Sequence, residues 1–312
     1  KEVAYQNLIR VKDLGIPIIY TGNIANHDRI KALNIPDLEI VDNVYPRVDN
    51  FNIMPLREKI YETFEKHIIH AKGMSHILDL VKGGIIPTPG AVMDLTILLD
   101  EIFDGVLTLD VGGATTDVHS IAEPKPEFKA YAEGEPKSKR SVEGDLGVYV
   151  NRKRVYAQME KGRLERILGL SELEVVRLTD EEPSIPHHAL GKKMVRELTR
   201  TCVHEALNRH IGDLRRIFTT NGIKIIPEGK DLSNVKAIFM TGGALIYGED
   251  SEQFIKEYLH KQTTKLIPSE AVKIYRDEYY IFASLGVLSR HHREETKLLI
   301  TQTLREVKPW QN

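Results

Sequence analysis

The residues best suited to chemistry lie in two glycine-paired turns. In Leu109-Asp110-Val111-Gly112-Gly113-Ala114-Thr115-Thr116-Asp117-Val118 an apolar strand stops in a diglycine turn and restarts as a strand, with an acid on each side. Such glycines let backbone N–H groups converge on anionic oxygens with no Cβ in the way, and Thr115 or Thr116 can add a hydroxyl donor. That is phosphate-binding chemistry. Asp110, at the strand end, suits holding Mg²⁺ through water or orienting an attacking water, and Asp117 is the second candidate for the metal. A plain hairpin, in which Gly-Gly supplies positive φ and the acids cap the turn, explains the glycines but not the acids that bracket Gly-Gly-x-Thr.

The second turn follows the buried strand Ala237-Ile238-Phe239-Met240-Thr241 and reads Gly242-Gly243-Ala244. Bare backbone there lets a flat adenine ring and its ribose lie against the chain; a simple strand-to-helix turn is the alternative. A third motif, Glu143-Gly144-Asp145, stands before an expected helix, where its N–H groups and Asp145 could face the same nucleotide, or where Asp145 could be an ordinary N-cap.

The elements that must position these motifs alternate between helix and strand. Helical spacing over 2–14 ends at Gly15 and Pro17, before strands at Ile18–Tyr20 and Leu38–Val41. Helices are predicted over 55–71 and 74–82, and an apolar one follows Pro89. Val106–Leu109, Val118–Ile121 and Phe128–Ala132 read as an antiparallel meander, with 124–140 an exposed, Pro-, Glu- and Lys-rich excursion. Helices are then predicted at 145–160, 161–168, 171–178 and 188–211. A strand at Val235–Met240, a helix over 250–260, a strand at Ala271–Tyr275 and a helix over 277–291 complete the order.

Composition narrows the function classes. The 312 residues exceed one small core, and 43 basic side chains against 45 acidic ones leave a nearly neutral surface, unlike that of a general nucleic-acid binder. No apolar run reaches the length of a membrane span, so a cytoplasmic protein without a membrane partner is expected. Cys202 is the single cysteine, which excludes an internal disulfide or a Cys-based zinc cluster and suits a small buried side chain. His67 and His70 lie one helical turn apart with His76 nearby, but no acidic third ligand accompanies them, and a helix-end role is the better reading.

Taken together, the motifs resemble the actin-like ATPase superfamily. Asp110 to Asp117 resembles its second phosphate motif and Thr241 to Ala244 its adenosine motif. Pro87-Thr88-Pro89-Gly90-Ala91 and Ala283-Ser284-Leu285-Gly286 resemble its two connecting helices, which cross at the interdomain hinge. The implied fold is an α/β, two-lobed, ribonuclease H-like fold that binds ATP and Mg²⁺. It divides as residues 1–104 for part of a first lobe, 105–290 for the second lobe and 291–312 for a C-terminal helix and tail. The superfamily's first phosphate motif, Asp-x-Gly-Ser/Thr, has no counterpart in 1–104. The N-terminal part of the first lobe is therefore expected to be missing, and the chain alone is expected to bind ATP weakly and hydrolyse it poorly. Where the chaperone branch has a Glu before the proline of the first connecting helix, Ile85-Ile86 stand here, which makes Asp110 the catalytic acid.

Within that superfamily the chain is most similar to the glutamate mutase accessory family, GlmL or MutL, unrelated to the mismatch-repair protein of that name. The likeness rests on His67-Ile68-Ile69-His70-Ala71-Lys72-Gly73, on Asp110 to Ser120 and on Val142-Glu143-Gly144-Asp145-Leu146-Gly147. It implies an ATP-driven reactivating chaperone whose partner is an adenosylcobalamin-dependent mutase of the glutamate mutase or ornithine aminomutase type. The cobalamin-binding Asp-x-His-x-x-Gly pattern is absent, so the chain is expected to act on a cobalamin enzyme without supplying a His ligand. A small-molecule kinase of the same fold and a non-hydrolysing nucleotide-gated scaffold are the alternatives.

Overall fold

A computed structural model describes residues 2–47, 52–68, 77, 80–81, 85–132, 135–220 and 222–307. Its contacts divide the chain into two units, Lys1–Pro87 and Thr88–Asn312. This boundary precedes the one drawn at 104 from the sequence, because the helix after Pro87 packs on the sheet of the second unit.

In the first unit, helix α1 (Glu2–Val11), strand β1 (Ile18–Tyr20), helix α2 (His27–Lys31), strand β2 (Leu38–Ile40) and helix α3 (Met54–Ile68) follow one another. β1 and β2 pair in parallel, Ile18 opposite Leu38. Leu8, Tyr20 and Ile30 form the small core beside them. The helix predicted over 74–82 falls largely outside the described residues, as do the side chains of His67, His70 and His76.

The second unit is built on a six-stranded sheet. Its strands are β3 (Val106–Val111), β4 (Thr116–Ile121), β5 (Ser138–Glu143), β8 (Ala237–Thr241), β9 (Lys273–Arg276) and β10 (Arg305–Glu306), in the order β10-β9-β8-β3-β4-β5. β3, β4 and β5 form the antiparallel meander, while β3, β8 and β9 run parallel, so the ends of β3 and β8 that precede the glycine turns lie side by side. A meander that continues into parallel strands is the ribonuclease H-like arrangement of the actin-like fold. Side chains alternate across each strand and bury both faces. Val106, Ala237 and Phe239 pack with Leu95, Leu98 and Leu99 of helix α4 (Thr88–Phe103). Leu107, Leu109 and Val118 pack on the other face with Leu198, Cys202 and Ala206 of helix α8 (Ala189–His210). Cys202 is a free, buried thiol whose pKa burial pushes up to about 12, the inert core residue expected of it.

Helix α4 crosses helix α11 (Phe282–Ser289) at Gly286, where an added Cβ would lie 1.8 Å from the carbonyl oxygen of Ala91. Only glycine permits that approach, and the two connecting-helix motifs therefore meet as the resemblance implied.

Several elements depart from the sequence reading. Phe128–Ala132 is not the third strand: Pro126–Tyr131 forms a 3₁₀ helix, and β5 supplies the third strand ten residues later. Pro126 fixes φ for a turn and cannot donate to a ladder, whereas 138–143 offers every residue to β4. The helix predicted from 145 begins at Arg152 as α5 (Arg152–Gln158), because 144–150 is engaged in bracing a turn described below. Helices α6 (Arg163–Leu168) and α7 (Glu172–Glu181) follow as predicted. A hairpin of β6 (Asp213–Thr219) and β7 (Gly222–Glu228) leaves the fold after α8. Gly242 leads into the short helix α9 (Gly243–Ile246), followed by α10 (Ser251–Lys261). The C-terminal segment is more than a tail: α12 (Arg293–Thr303) packs against α11, and β10 extends the sheet beside β9. No helix of the described residues is long and apolar enough to cross a membrane.

Candidate functional site

The three motifs meet at one end of the sheet of the second unit. Asp110 on β3 stands directly opposite Asp117 on β4 and, on its other side, opposite Thr241 on β8. Cross-strand partners project from the same face, so the two acids and the threonine form one row. The row continues to Asp277, which follows β9. Thr241 Oγ1 donates to Asp277 Oδ2 at 2.8 Å, and Asp277 also accepts the backbone N–H groups of Ile281 and Phe282, each at 2.9 Å, at the start of α11. Asp277 thus ties the second glycine motif to the second connecting helix.

Gly242 lies hard against β3. With φ of 88°, its missing Cβ would fall 2.3 Å from Asp110 Oδ1 and 2.5 Å from the carbonyl oxygen of Val111. The acid and the second glycine turn are in contact there rather than separated by a gap. Gly243 and Gly144 are open, with nothing closer than 3.9 Å to a Cβ at 243 and nothing within 4 Å at 144.

The first turn is held from behind. Gly112 N–H donates to Thr115 O at 2.9 Å, and the carbonyls of Gly112 and Gly113 accept from the N–H groups of Val148, Tyr149 and Val150. Asn151 Nδ2 donates to Ala114 O at 2.8 Å and to Gly144 O at 2.9 Å. Gly147 sits directly on the Gly113-Ala114 peptide, where a Cβ would lie 2.4 Å from the Ala114 carbonyl oxygen. With these carbonyls all committed to the brace, the N–H groups of Gly113 and Ala114 find no protein acceptor among the described residues. Adjacent free amides in a turn are chemically suited to an anion. Thr115 flanks them. Thr116 does not contribute its hydroxyl, because it is fully buried and donates to Leu146 O at 2.7 Å.

Burial dominates the acids of the row, with the charge of Arg140 as a weaker opposing influence on Asp117. Burial, reinforced by Asp277, pushes the Asp110 carboxyl up to about 6. Asp117 is 3% exposed, its Oδ1 has no hydrogen-bond partner, and burial together with Asp110 pushes it to about 7. An orphaned buried oxygen beside a second carboxylate fits a site completed by a cation. No group of three or more His, Cys, Asp or Glu side chains among the described residues is arranged to hold a metal directly, so a cation here would keep most of its waters, as Mg²⁺ commonly does.

Glu143 and Asp145 are brought near this turn but are already engaged. Arg209, in the last turn of α8, donates to Glu143 Oε2 at 2.8 Å and to Asp145 Oδ1 and Oδ2 at 2.7 and 2.9 Å. Those hydrogen bonds hold the Asp145 carboxyl below the usual range. Asp145 caps no helix.

Asp277 and Asn151 escape sequence reading because both act through strand register and a brace whose partners are distant in sequence. Tyr280 is a further such residue. It sits at φ 52°, and its ring meets Tyr247 edge-on at 6.3 Å. Left-handed φ in a tyrosine beside a glycine turn is the kind of backbone strain that gathers at functional sites.

The family described as MutL protein matches residues 3–304. Protein MutL of Clostridium tetanomorphum is 30% identical over 315 aligned residues, which span 93% of this chain and 67% of that protein. Among solved structures, component A of (R)-2-hydroxyglutaryl-CoA dehydratase from Acidaminococcus fermentans aligns over 65% of this chain and 68% of its own, at 13% identity and a TM-score of 0.29. A non-polymerisable quadruple mutant of pCBH ParM aligns over 65% and 52%, at 14% identity and a TM-score of 0.32.

Proposed function

The chain belongs to the MutL protein family, and on that premise we propose that it is the nucleotide-responsive part of an accessory protein that reactivates or matures an adenosylcobalamin-dependent aminomutase, of the glutamate mutase or ornithine aminomutase type. The observation that carries the nucleotide reading is the row Asp117-Asp110-Thr241-Asp277 beside the braced diglycine turn. Three features support a fit to Mg²⁺ and ATP: free amides at Gly113 and Ala114, an unpartnered Asp117 Oδ1, and open backbone at Gly243 and Gly144.

In this reading the amides of Gly113 and Ala114 and the Thr115 hydroxyl receive phosphate oxygens. Asp110 and Asp117 would be the residues that hold Mg²⁺. Asp110 also orients the attacking water and takes its proton, for which a pKa raised to about 6 suits it. Gly242, Gly243 and Ala244 offer bare backbone to the nucleoside, with Tyr247 and Tyr280 as an aromatic edge beside it. Glu143 and Asp145 contribute through Arg209, keeping the Gly144 turn against the first turn. When bound, Mg²⁺ would neutralise charge on the phosphates.

The coupling to a partner runs through Asp277. It links Thr241 in the nucleotide row to the first amides of α11, and α11 crosses α4 at Gly286. A change at the row is thereby passed to the two connecting helices, the bistable element that nucleotide state would bias.

Reactivation tests this reading. The natural full-length protein, given ATP, Mg²⁺ and free adenosylcobalamin, is expected to restore activity to a mutase stalled by damaged cofactor, and no activity should return without ATP. A mutase that stays inactive under all conditions contradicts the accessory role. Restoration with ATP bound but no phosphate released favours a nucleotide-gated scaffold.

A further inference from the structure

The β6–β7 hairpin is a two-stranded sheet with no third strand among the described residues. An isolated ribbon of this kind is marginal by itself and owes its stability to what covers it. Its register places Leu214, Arg216 and Phe218 on the same face as Pro227, Ile225 and Ile223. Three of these side chains are open to solvent: Phe218 is 86%, Ile223 61% and Ile225 53% exposed. The opposite face is occupied, since Lys224 lies 5.6 Å over the ring of Tyr131 and Arg215 pairs with Glu228. The apolar face carries one charge, Arg216, and that guanidinium has no hydrogen bond or ion pair among the described residues.

Contiguous exposed phenylalanine and isoleucine side chains on a soluble surface mark an interaction site, and an aromatic with a central unpaired arginine is the composition that dominates binding energy. Charge selects the occupant. A second copy meeting this one hairpin to hairpin would bring another Arg216 and no free acid, because the acids at the hairpin base, Asp213 and Glu228, are already paired with Lys265 and Arg215. The complementary surface is apolar and presents a carboxylate to Arg216. The hairpin also follows the C-terminal end of α8, where His210 contacts Ser120 toward the end of β4 away from Asp117.

We propose that this face is the docking surface for the mutase, engaging an apolar patch with an acidic residue at its centre. The proposal rests on the accessory reading above. It is tested with the natural full-length protein and its Phe218→Asp and Arg216→Glu variants, each titrated against immobilised glutamate mutase and, separately, ornithine aminomutase, with ATP turnover measured in parallel. Both variants are expected to weaken binding at least tenfold with turnover unchanged, and Arg216→Lys to retain most of it. Hydrogen exchange over 214–227 should slow only when the mutase is added.

Wild-type binding that both variants retain overturns the docking surface and leaves the accessory role standing. Failure of the wild type to bind either mutase removes the accessory reading and this occupant together. Protection of 214–227 in the free monomer shows that the protein's own chain covers the face. A wild-type dimer that Phe218→Asp converts to monomer shows that a second copy does. Either of these last results overturns the proposal.

Discussion

Two pairs of acids lie near the same turn, and their surroundings are opposite. Glu143 and Asp145 share Arg209, whose guanidinium meets both at hydrogen-bonding distance and lowers the Asp145 pKa. Asp110 and Asp117 face each other across β3 and β4 in a buried setting, and their pKa values rise to about 6 and 7. The first pair is already engaged by a guanidinium and serves structure. The second is buried with its charge only weakly opposed, by Arg140 near Asp117, the kind of perturbed pair that gathers at functional sites.

Substitutions can break or sharpen this contrast. The largest effect is expected from Gly242→Ala, which drives a Cβ into the Asp110 carboxylate at a positive φ. Strain plus overpacking at such a site should lower stability by about 3 kcal/mol, read from chemical denaturation, and weaken nucleotide binding at least tenfold.

The acids themselves come next. Their folded pKa values lie above the ordinary 3.8, so the folded chain holds extra protons below them and loses stability as pH rises through about 6 and 7. Asp117→Asn removes part of that loss. It is expected to raise the thermal midpoint of ligand-free protein at pH 8, by about 2 kcal/mol in stability, and to change little at pH 4. Mg²⁺ added to the wild type should narrow the gap; a midpoint independent of pH contradicts the unpaired reading.

Smaller still is Asn151→Ala, which removes the bonds to Ala114 O and Gly144 O. A loss of about 1 to 2 kcal/mol is expected, with turnover falling further than a stability effect alone would explain. The smallest change is expected from Arg209→Met. The carboxylates it frees are partly exposed, and about 1 kcal/mol or less should be lost, with turnover near wild type.

The contrast also explains what the sequence could convey. Asp110, Gly112, Gly113, Asp117 and Gly242 are legible because an acid at a strand end and paired glycines have few other uses, and β3, β4 and β8 are legible as apolar runs. The engagement of Glu143 and Asp145 is not, because Arg209 reaches them from a helix more than sixty residues away. Asp277 becomes part of the site only through the β8–β9 register. Phe128–Ala132 alternates like a strand, yet Pro126 turns it into a 3₁₀ helix. The β6–β7 hairpin did carry a local signal, the Asn221-Gly222 pair between alternating runs. Its exposed face has no counterpart in sequence pattern, since alternation alone does not say which side is covered.

The central claim is that the unpaired acids beside the diglycine turn are the catalytic end of a Mg²⁺-dependent ATPase. Phosphate release by the natural full-length protein and its Asp110→Asn variant tests it most directly, with ATP affinity measured on the same samples. Turnover should require Mg²⁺ and fall at least about a hundredfold in the variant, with affinity within a few fold of wild type. Equal turnover by the two proteins contradicts the claim.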